Sequence, residues 1–288
     1  MTLPRILFPV DLSERSRGAA RYAAALSRHF QSELTLLHVM ELPAYMLGAM
    51  ELAGIVESEL AKSREALLET QLSDFAAEAF QKLAVRRLIH SGDPAHRIVE
   101  FAQAEDARLI VMPTHGCGTF RRAILGSVTA KVLHDAECPV LTGVHLPETG
   151  RQESPDFRRI LCALDLGPQS AKALGWAWQF AAAFGAHLTA MHVTPAFEAH
   201  GELNAEWQMR LTEQAREKLA AIQASAGAQS DILVTSDDDT PKAVGAYAAR
   251  LPADLLVIGR GSASGASGRL RANAYAIIRQ SPCPVVSV

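Results

Sequence analysis

The chain repeats itself once, and that repeat limits its architecture more than any other feature. RILFPVDLS at residues 5–13 returns as RILCALDLG at 159–167, and LTLLHV at 34–39 returns as LTAMHV at 188–193. ARLIVMP at 107–113 returns as ADLLVIG at 253–259, and ECPVL at 137–141 as PCPVV at 282–286. The order is kept. The offset is 154 residues for the first two pairs, 146 for the third and 145 for the last. The second copy is therefore eight residues shorter in its middle and one shorter in the glycine-rich stretch before the last block. A period this long marks two duplicated domains rather than a solenoid of short repeats. Between the copies, HLPETGRQESPDF at 145–157 is polar, holds two prolines and lacks apolar periodicity, which reads as a linker. The expected division is one domain over 1–145, a linker over 146–157 and a second domain over 158–288.

With 288 residues, 49% of them hydrophobic and 20% charged, the chain has material for two packed cores. Its net charge of −3 leaves no basic footprint for nucleic acid. No apolar stretch nears the ~20 residues of a membrane span. The opening MTLPRILFPVDLS runs straight into a strand pattern without the parts of a secretory signal. The expectation is a cytoplasmic protein with neither nucleic acid nor membrane as partner. Cys117, Cys138, Cys162 and Cys283 form no CxxC pair, and Cys138 and Cys283 read as small buried hydrophobes.

Each copy alternates strand-like with helix-like stretches. After the strand ILFPV, Ser13 opens a segment in which Ala19, Tyr22, Ala23, Leu26 and Phe30 recur at helical spacing. LTLLHV, VRRLI, LIVM and PVLTG read as further strands. Residues 51–83 carry a single apolar stripe that predicts one long helix. Asp93 and Pro94 read as cap and first helical residue of the next, and a short helix is predicted over Ser127–Asp135. In the second copy strands are expected near 160–164, 187–193, 231–235, 254–258 and 284–288. Five apolar strands with helical crossovers imply an α/β fold: two tandem doubly wound, five-stranded parallel-sheet domains. Such folds bind ligands beyond the carboxyl ends of the strands, where strand order reverses. Asp11, Val39 and the 113–127 loop fall on that rim, because each follows a strand.

The loop VMPTHGCGTFRRAILGSV, residues 111–128, carries the chemistry. A helix start presents unpaired N–H groups and partial positive charge, so it attracts phosphate. Gly126 permits close approach, Ser127 can cap the helix and donate its hydroxyl, and Gly116 and Gly118 let the loop fold over a ligand. Arg121 and Arg122 add cationic reach or are ordinary solvated arginines. Neither GxxxxGK[ST] nor GxGxxG is present, the latter because residue 121 is Arg.

Taken in order, these motifs resemble the universal stress proteins. I-L-x-P-V-D-x-S stands near the start, L-x-x-L-H-V follows the first helix, and G-D-P-A precedes the third. Then come Gly116, nine residues, Gly126-Ser127, and finally C-P-V. The series runs through in full once and again in a worn copy, so the resemblance is to a tandem-type member with an adenine-nucleotide alpha-hydrolase-like, Rossmann-like fold. It implies binding of ATP or AMP, with Mg²⁺ accompanying ATP. By matching position it implies that Asp11 and Val39 hold the adenosine end and that Gly116, Gly126 and Ser127 hold the phosphates. Pro9, Val10, Met112 and Val128 would supply wall and backbone contacts. Read by its own chemistry, Asp11 is either a ligand residue or the turn and cap residue of the helix after it.

Two departures bear on the site. The family's first loop glycine is Pro113 here, which removes one backbone donor and stiffens the turn. The second copy keeps Asp165, Val193 and Gly259 as a degenerate candidate site, but Arg271-Ala272 replaces the Gly-Ser pair. Its arginines 260, 269, 271 and 279 read either as a substitute anion site or as a loop released from constraint.

His38 and His192, each before a valine at a strand end, read as hydrogen-bonded and partly buried. Asp237, Asp238 and Asp239 read as favourable charge at a helix start, or as a weak divalent-ion site. No catalytic triad or nucleophile elbow is present, and no metal site or catalytic residue is assigned. The function expected is a nucleotide-responsive stress-survival regulator, its halves joined as an internal dimer through residues 139–143 and 284–288, acting on unidentified protein partners and able to form a homodimer. The alternatives are a scaffold that ignores nucleotide and a slow ATPase.

Overall fold

Short apolar strands and amphipathic helices alternate through both halves. In the first, β1 (Arg5–Pro9), β2 (Glu33–Met40), β3 (Val85–Ser91), β4 (Leu109–Val111) and β5 (Val140–Thr142) are joined through α1 (Glu14–Phe30), α2 (Glu57–Asp74), α3 (Pro94–Ala104) and α4 (Ser127–Asp135). The second has β6 (Arg159–Ala163), β7 (His187–Thr194), β8 (Asp231–Ser236), β9 (Leu255–Ile258) and β10 (Val285–Ser287). Its helices are α5 (Ser170–Phe184), α6 (Glu202–Ala226), α7 (Thr240–Arg250) and α8 (Ala272–Gln280). This computed structural model describes residues 1–41, 57–114, 125–143, 155–196, 202–260 and 272–288. No helix among them is long and apolar enough to cross a membrane.

The strands form one ten-stranded sheet in the order β3-β2-β1-β4-β5-β10-β9-β6-β7-β8. Within each half every pairing is parallel, and order reverses between β1 and β4 and between β6 and β9. Successive residues of a central strand enter opposite cores, as a sheet covered on both faces requires. Ile6 and Phe8 pack with α1, whereas Leu7 packs with α3 and α4.

The halves are not two sheets side by side but one. β5 and β10 pair antiparallel, Thr142 with Val285, Leu141 with Val286 and Val140 with Ser287. An unpaired last strand would expose a row of backbone donors and acceptors, and each half covers the other's edge. On one face of this seam the Tyr275 hydroxyl of α8 donates to the Ala130 carbonyl of α4 at 3.2 Å. On the other, Phe30 meets Phe184 with ring centroids 5.7 Å apart, and His29 stacks on Phe184 at 3.9 Å. Phe157, the final residue of the stretch read as linker, is 2% exposed and packs edge-on against Phe180 and Phe184.

The predicted helix over 51–83 does not run that far. It ends at Asp74, and 75–83 are turns in which Ala76 and Lys82 take positive φ. Bending the chain there brings Phe75 and Phe80 beneath the sheet against Phe8, which a straight helix would not do for both rings. Burying each ring is worth about 1.5–3 kcal/mol, enough to outweigh one or two strained turn residues. Elsewhere the helix starts follow local chemistry. Ser13 caps α1 by accepting from the Ser16 N–H, and Asp93 caps α3 by accepting from the His96 N–H. That bond, with Lys131 close by, holds the Asp93 carboxyl below its usual pKa.

Candidate functional site

The site is built on the carboxyl ends of β1, β2 and β4, beside the point where strand order reverses. Ile6 pairs with Leu109 and Leu7 with Ile110, a register that sets Pro9 level with Met112. Pro9 closes β1, and the buried Val10 donates its N–H to the Leu37 carbonyl at 2.9 Å. His38 Nδ1 donates to the Val10 carbonyl at 2.9 Å, and in the second half His192 Nδ1 donates to the Leu164 carbonyl at 2.8 Å. Both histidines fix the strand end that leads into the aspartate.

Asp11 begins the turn into α1. Its Oδ1 accepts from the Ser13 N–H (3.0 Å), the Ser13 hydroxyl (2.6 Å) and the Ser16 hydroxyl (2.6 Å). Leu12, between them, sits at φ 62°, held in the left-handed region by that turn. The second half repeats the device. Asp165 Oδ1 accepts from the Gly167 N–H (2.8 Å) and the Ser170 hydroxyl (3.0 Å), with Leu166 at φ 58°. One carboxylate oxygen of each aspartate thus orders its own turn. The serine five residues after each aspartate, Ser16 and Ser170, was legible in the repeat as a partner and was missed.

Val39 lies near the end of β2, half-buried, paired with His90 of β3 and resting on the core under α3. Met112 and Pro113 are buried. The Pro113 carbonyl accepts from the Thr129 hydroxyl (3.1 Å), and the Thr114 carbonyl accepts from the Gly126 N–H (2.8 Å), so the two ends of the loop are tied together. Gly116, Cys117, Gly118, Arg121 and Arg122 fall outside the described residues.

Helix α4 opens differently from the sequence reading. Gly126, not Ser127, is the N-cap, in extended conformation and without a side-chain hydrogen bond to the first turn. Ser127 is the first helical residue and is exposed; Val128 is half-buried against the core. A glycine cap leaves the leading N–H groups without a side-chain acceptor, at the positive end of the helix. That arrangement favours an anion.

In the second half Asp165, Val193 and Gly259 line a single cavity of about 250 Å³, together with Met191, Asn273 and Ile277. Neither sequence reading of Arg260 holds. Its Nη1 donates to the Ala136 carbonyl (2.7 Å) and its Nη2 to the Cys138 carbonyl (2.7 Å), both in the first half, so it is neither an anion ligand nor a released residue. Carbonyls at a helix end are a strong site for a guanidinium, and nothing in the local sequence around Arg260 points to them. Arg279 lies in the last turn of α8, away from the rim; Arg269 and Arg271 lie outside the described residues. A larger hollow of about 640 Å³ at the seam, among Val99, Cys138, Lys172, Trp176 and Val288, contains none of the predicted site residues.

The three aspartates before α7 are capping and turn groups. Asp239 accepts from the Lys242 N–H, Asp237 from the Asp239 N–H, and Asp238 from the Ala196 N–H. Among the described residues no group of three or more His, Cys, Asp or Glu is placed to hold a metal ion.

Comparison with known proteins agrees with the fold. The Universal stress protein family matches the chain twice, over residues 2–142 and 156–288. Universal stress protein MJ0531 of Methanocaldococcus jannaschii is 34% identical over 137 residues, covering 48% of this chain and 79% of that protein. A universal stress protein of Mycolicibacterium smegmatis is 29% identical over 193 residues, 65% of this chain and 63% of that one. The crystal structure of a universal stress protein from Archaeoglobus fulgidus DSM 4304 matches 99% of this chain and 96% of its own with a TM-score of 0.65. At 24% identity that likeness speaks for the fold alone. With the motif order, the doubled five-stranded fold and two family matches in agreement, the chain belongs to the universal stress protein family and carries two such domains in tandem.

Proposed function

We propose that the N-terminal half binds an adenine nucleotide, ATP or AMP, on the rim between β1 and β4, and that the bound state alters a surface read by other proteins in the cytoplasm. The observation that supports this most is the start of α4: a glycine cap with no side chain across it, at the carboxyl rim where strand order reverses. Gly126 and Ser127 would receive the phosphates, with Mg²⁺ when the ligand is ATP, and Asp11 and the Val39 backbone would receive the nucleoside. The role is binding rather than catalysis, with any hydrolysis slow.

The test is direct. Purified protein is extracted with acid and the extract searched for ATP and AMP by mass spectrometry; the stripped protein is then titrated with each by calorimetry. Retained nucleotide, or saturable heat lost in Asp11→Ala and Ser127→Ala, supports the reading. No retained nucleotide and no heat at millimolar ATP would make the chain a nucleotide-independent scaffold. Turnover abolished by the same two substitutions would make it an ATPase.

A further inference from the structure

We propose that Arg260 is a positioning residue that acts across the seam: by gripping the far end of α4 it ties the second half's rim to the candidate nucleotide site of the first. This rests on the reading that anion binds at the start of α4.

Arg260 follows Gly259, which lines the second-half cavity, and its own N–H is held by the Val288 carbonyl at 3.0 Å. From there the side chain crosses the seam. Besides Ala136 and Cys138 it reaches the Leu133 carbonyl at 3.4 Å. Leu133 lies in the last turn of α4, Ala136 is the C-cap, and Cys138 stands two residues beyond. Carbonyls there have no partner within the helix, and a cation is favoured at that negative end. A guanidinium donating to several of them is a charge-assisted clamp.

A second link runs in parallel. Asn273, Ala274 and Ile277 of α8 line the same cavity, and Tyr275 between them bonds to Ala130 of α4. Two of the elements that line the cavity, the β9 end and α8, are therefore fastened to one helix. That helix has nine residues, about 13 Å at 1.5 Å per residue, so its clamped end and its anion end belong to one short rod. The clamp is not repeated at the equivalent position of the first half. The residue at the repeat position of Arg260 is Thr114, whose hydroxyl donates to Gly143 of its own half. What fills or reshapes the second-half cavity moves the attachment of α4, and by linkage nucleotide at α4 is felt in that cavity.

The full chain and its Arg260→Met, Arg260→Lys and Tyr275→Phe variants are compared by ATP calorimetry, by hydrogen exchange over residues 127–136 and by thermal unfolding. Arg260→Met is expected to weaken ATP about fivefold, at the low end of ordinary inter-site coupling, and to speed exchange along all of α4. Arg260→Lys recovers most of both, and Tyr275→Phe moves both in the same direction by less. Faster exchange with unchanged ATP affinity reduces the contact to a structural one and overturns the proposal; unchanged exchange overturns it as well. If the wild type binds no ATP, the nucleotide reading fails separately, and exchange alone decides the coupling. In that case acceleration confined to the last turn, leaving residues 130 and 131, the first amides bonded within the helix, as in the wild type, refutes it. Should Arg260→Met not fold, the Lys and Tyr275→Phe variants carry the same comparisons.

Discussion

Leu141 pairs across the seam with Val286, its own counterpart in the repeat, so an internal two-fold passes between them. Both are buried, and each contributes to a core that continues from one half into the other. A helix face or loop contact could separate without breaking either domain, but a shared ladder and a shared core cannot. The halves are therefore expected to unfold together.

Leu141→Ala tests this. The substitution should cost about 2–5 kcal/mol, as for other buried leucines. All three tryptophans, Trp176, Trp178 and Trp207, lie in the second half, whereas the substitution lies in the first. Tryptophan fluorescence and far-ultraviolet circular dichroism should shift together in urea, with coincident midpoints. A fluorescence midpoint that stays at the wild-type value while the dichroism midpoint falls would mean that the halves unfold independently.

The loop makes a second, opposed pair of expectations. Ser127 is exposed and does not cap α4, so Ser127→Ala should leave stability within about 0.5 kcal/mol of wild type. It should nonetheless weaken ATP if the hydroxyl meets phosphate. Pro113→Gly restores a backbone donor, and one hydrogen bond of about 0.5–1.5 kcal/mol would tighten ATP by up to about tenfold. The added chain freedom should lower stability by about 0.4–1 kcal/mol. Calorimetric titration beside urea unfolding separates the two effects, and a Pro113→Gly variant with weaker binding would reverse the argument.

Most of this fold was legible because its signals are local and doubled. The strands LTLLHV and LTAMHV, read twice at one offset, leave little room for another register. Asp93 before Pro94 fixes a helix start by side-chain chemistry alone. What escaped is what depends on the other half. Phe157 ends a polar stretch, and α5 together with Tyr22 of α1 makes it a core residue. Arg260 sits among glycines and serines, and among the described residues its side chain finds its partners at and just beyond the end of α4, more than a hundred residues away in the chain. The stripe over 51–83 misled because a turn can present an apolar face as well as a helix can, once Phe8 is there to receive it.

The cysteines give a pH dependence. Burial pushes the Cys283 thiol up to about 11, and raises Cys162 and Cys138 as well. A folded-state pKa above the unfolded value means that the unfolded chain loses its proton first. Stability from the neutral thiol is fully present below about pH 9 and is lost as pH rises through about 11. A rise from about 9 to about 11 at Cys283 corresponds to roughly 2–3 kcal/mol. Urea midpoints should therefore fall between pH 9 and 11, with a shallower fall in Cys283→Ala. A flat profile across that range would show that these thiols titrate normally. At pH 8 the thiols of Cys162 and Cys283 in the folded chain should react with a disulfide reagent far more slowly than in urea.

Asp11 and Asp165 occupy the same turn in the two copies, and comparing them separates structure from binding. Each accepts through Oδ1 from the serine five residues on, so removing either carboxylate should destabilise its turn by about 1–3 kcal/mol. Only Asp11 shares a rim with the Gly126 start of α4, whereas Asp165 faces the 250 Å³ cavity of the second half. Asp11→Ala is expected to lower stability and to abolish ATP heat in calorimetry. Asp165→Ala is expected to lower stability by a similar amount while ATP still binds with a stoichiometry near one per chain. Loss of binding in Asp165→Ala alone would place the nucleotide in the second half, and Asp11 would then be a turn residue only.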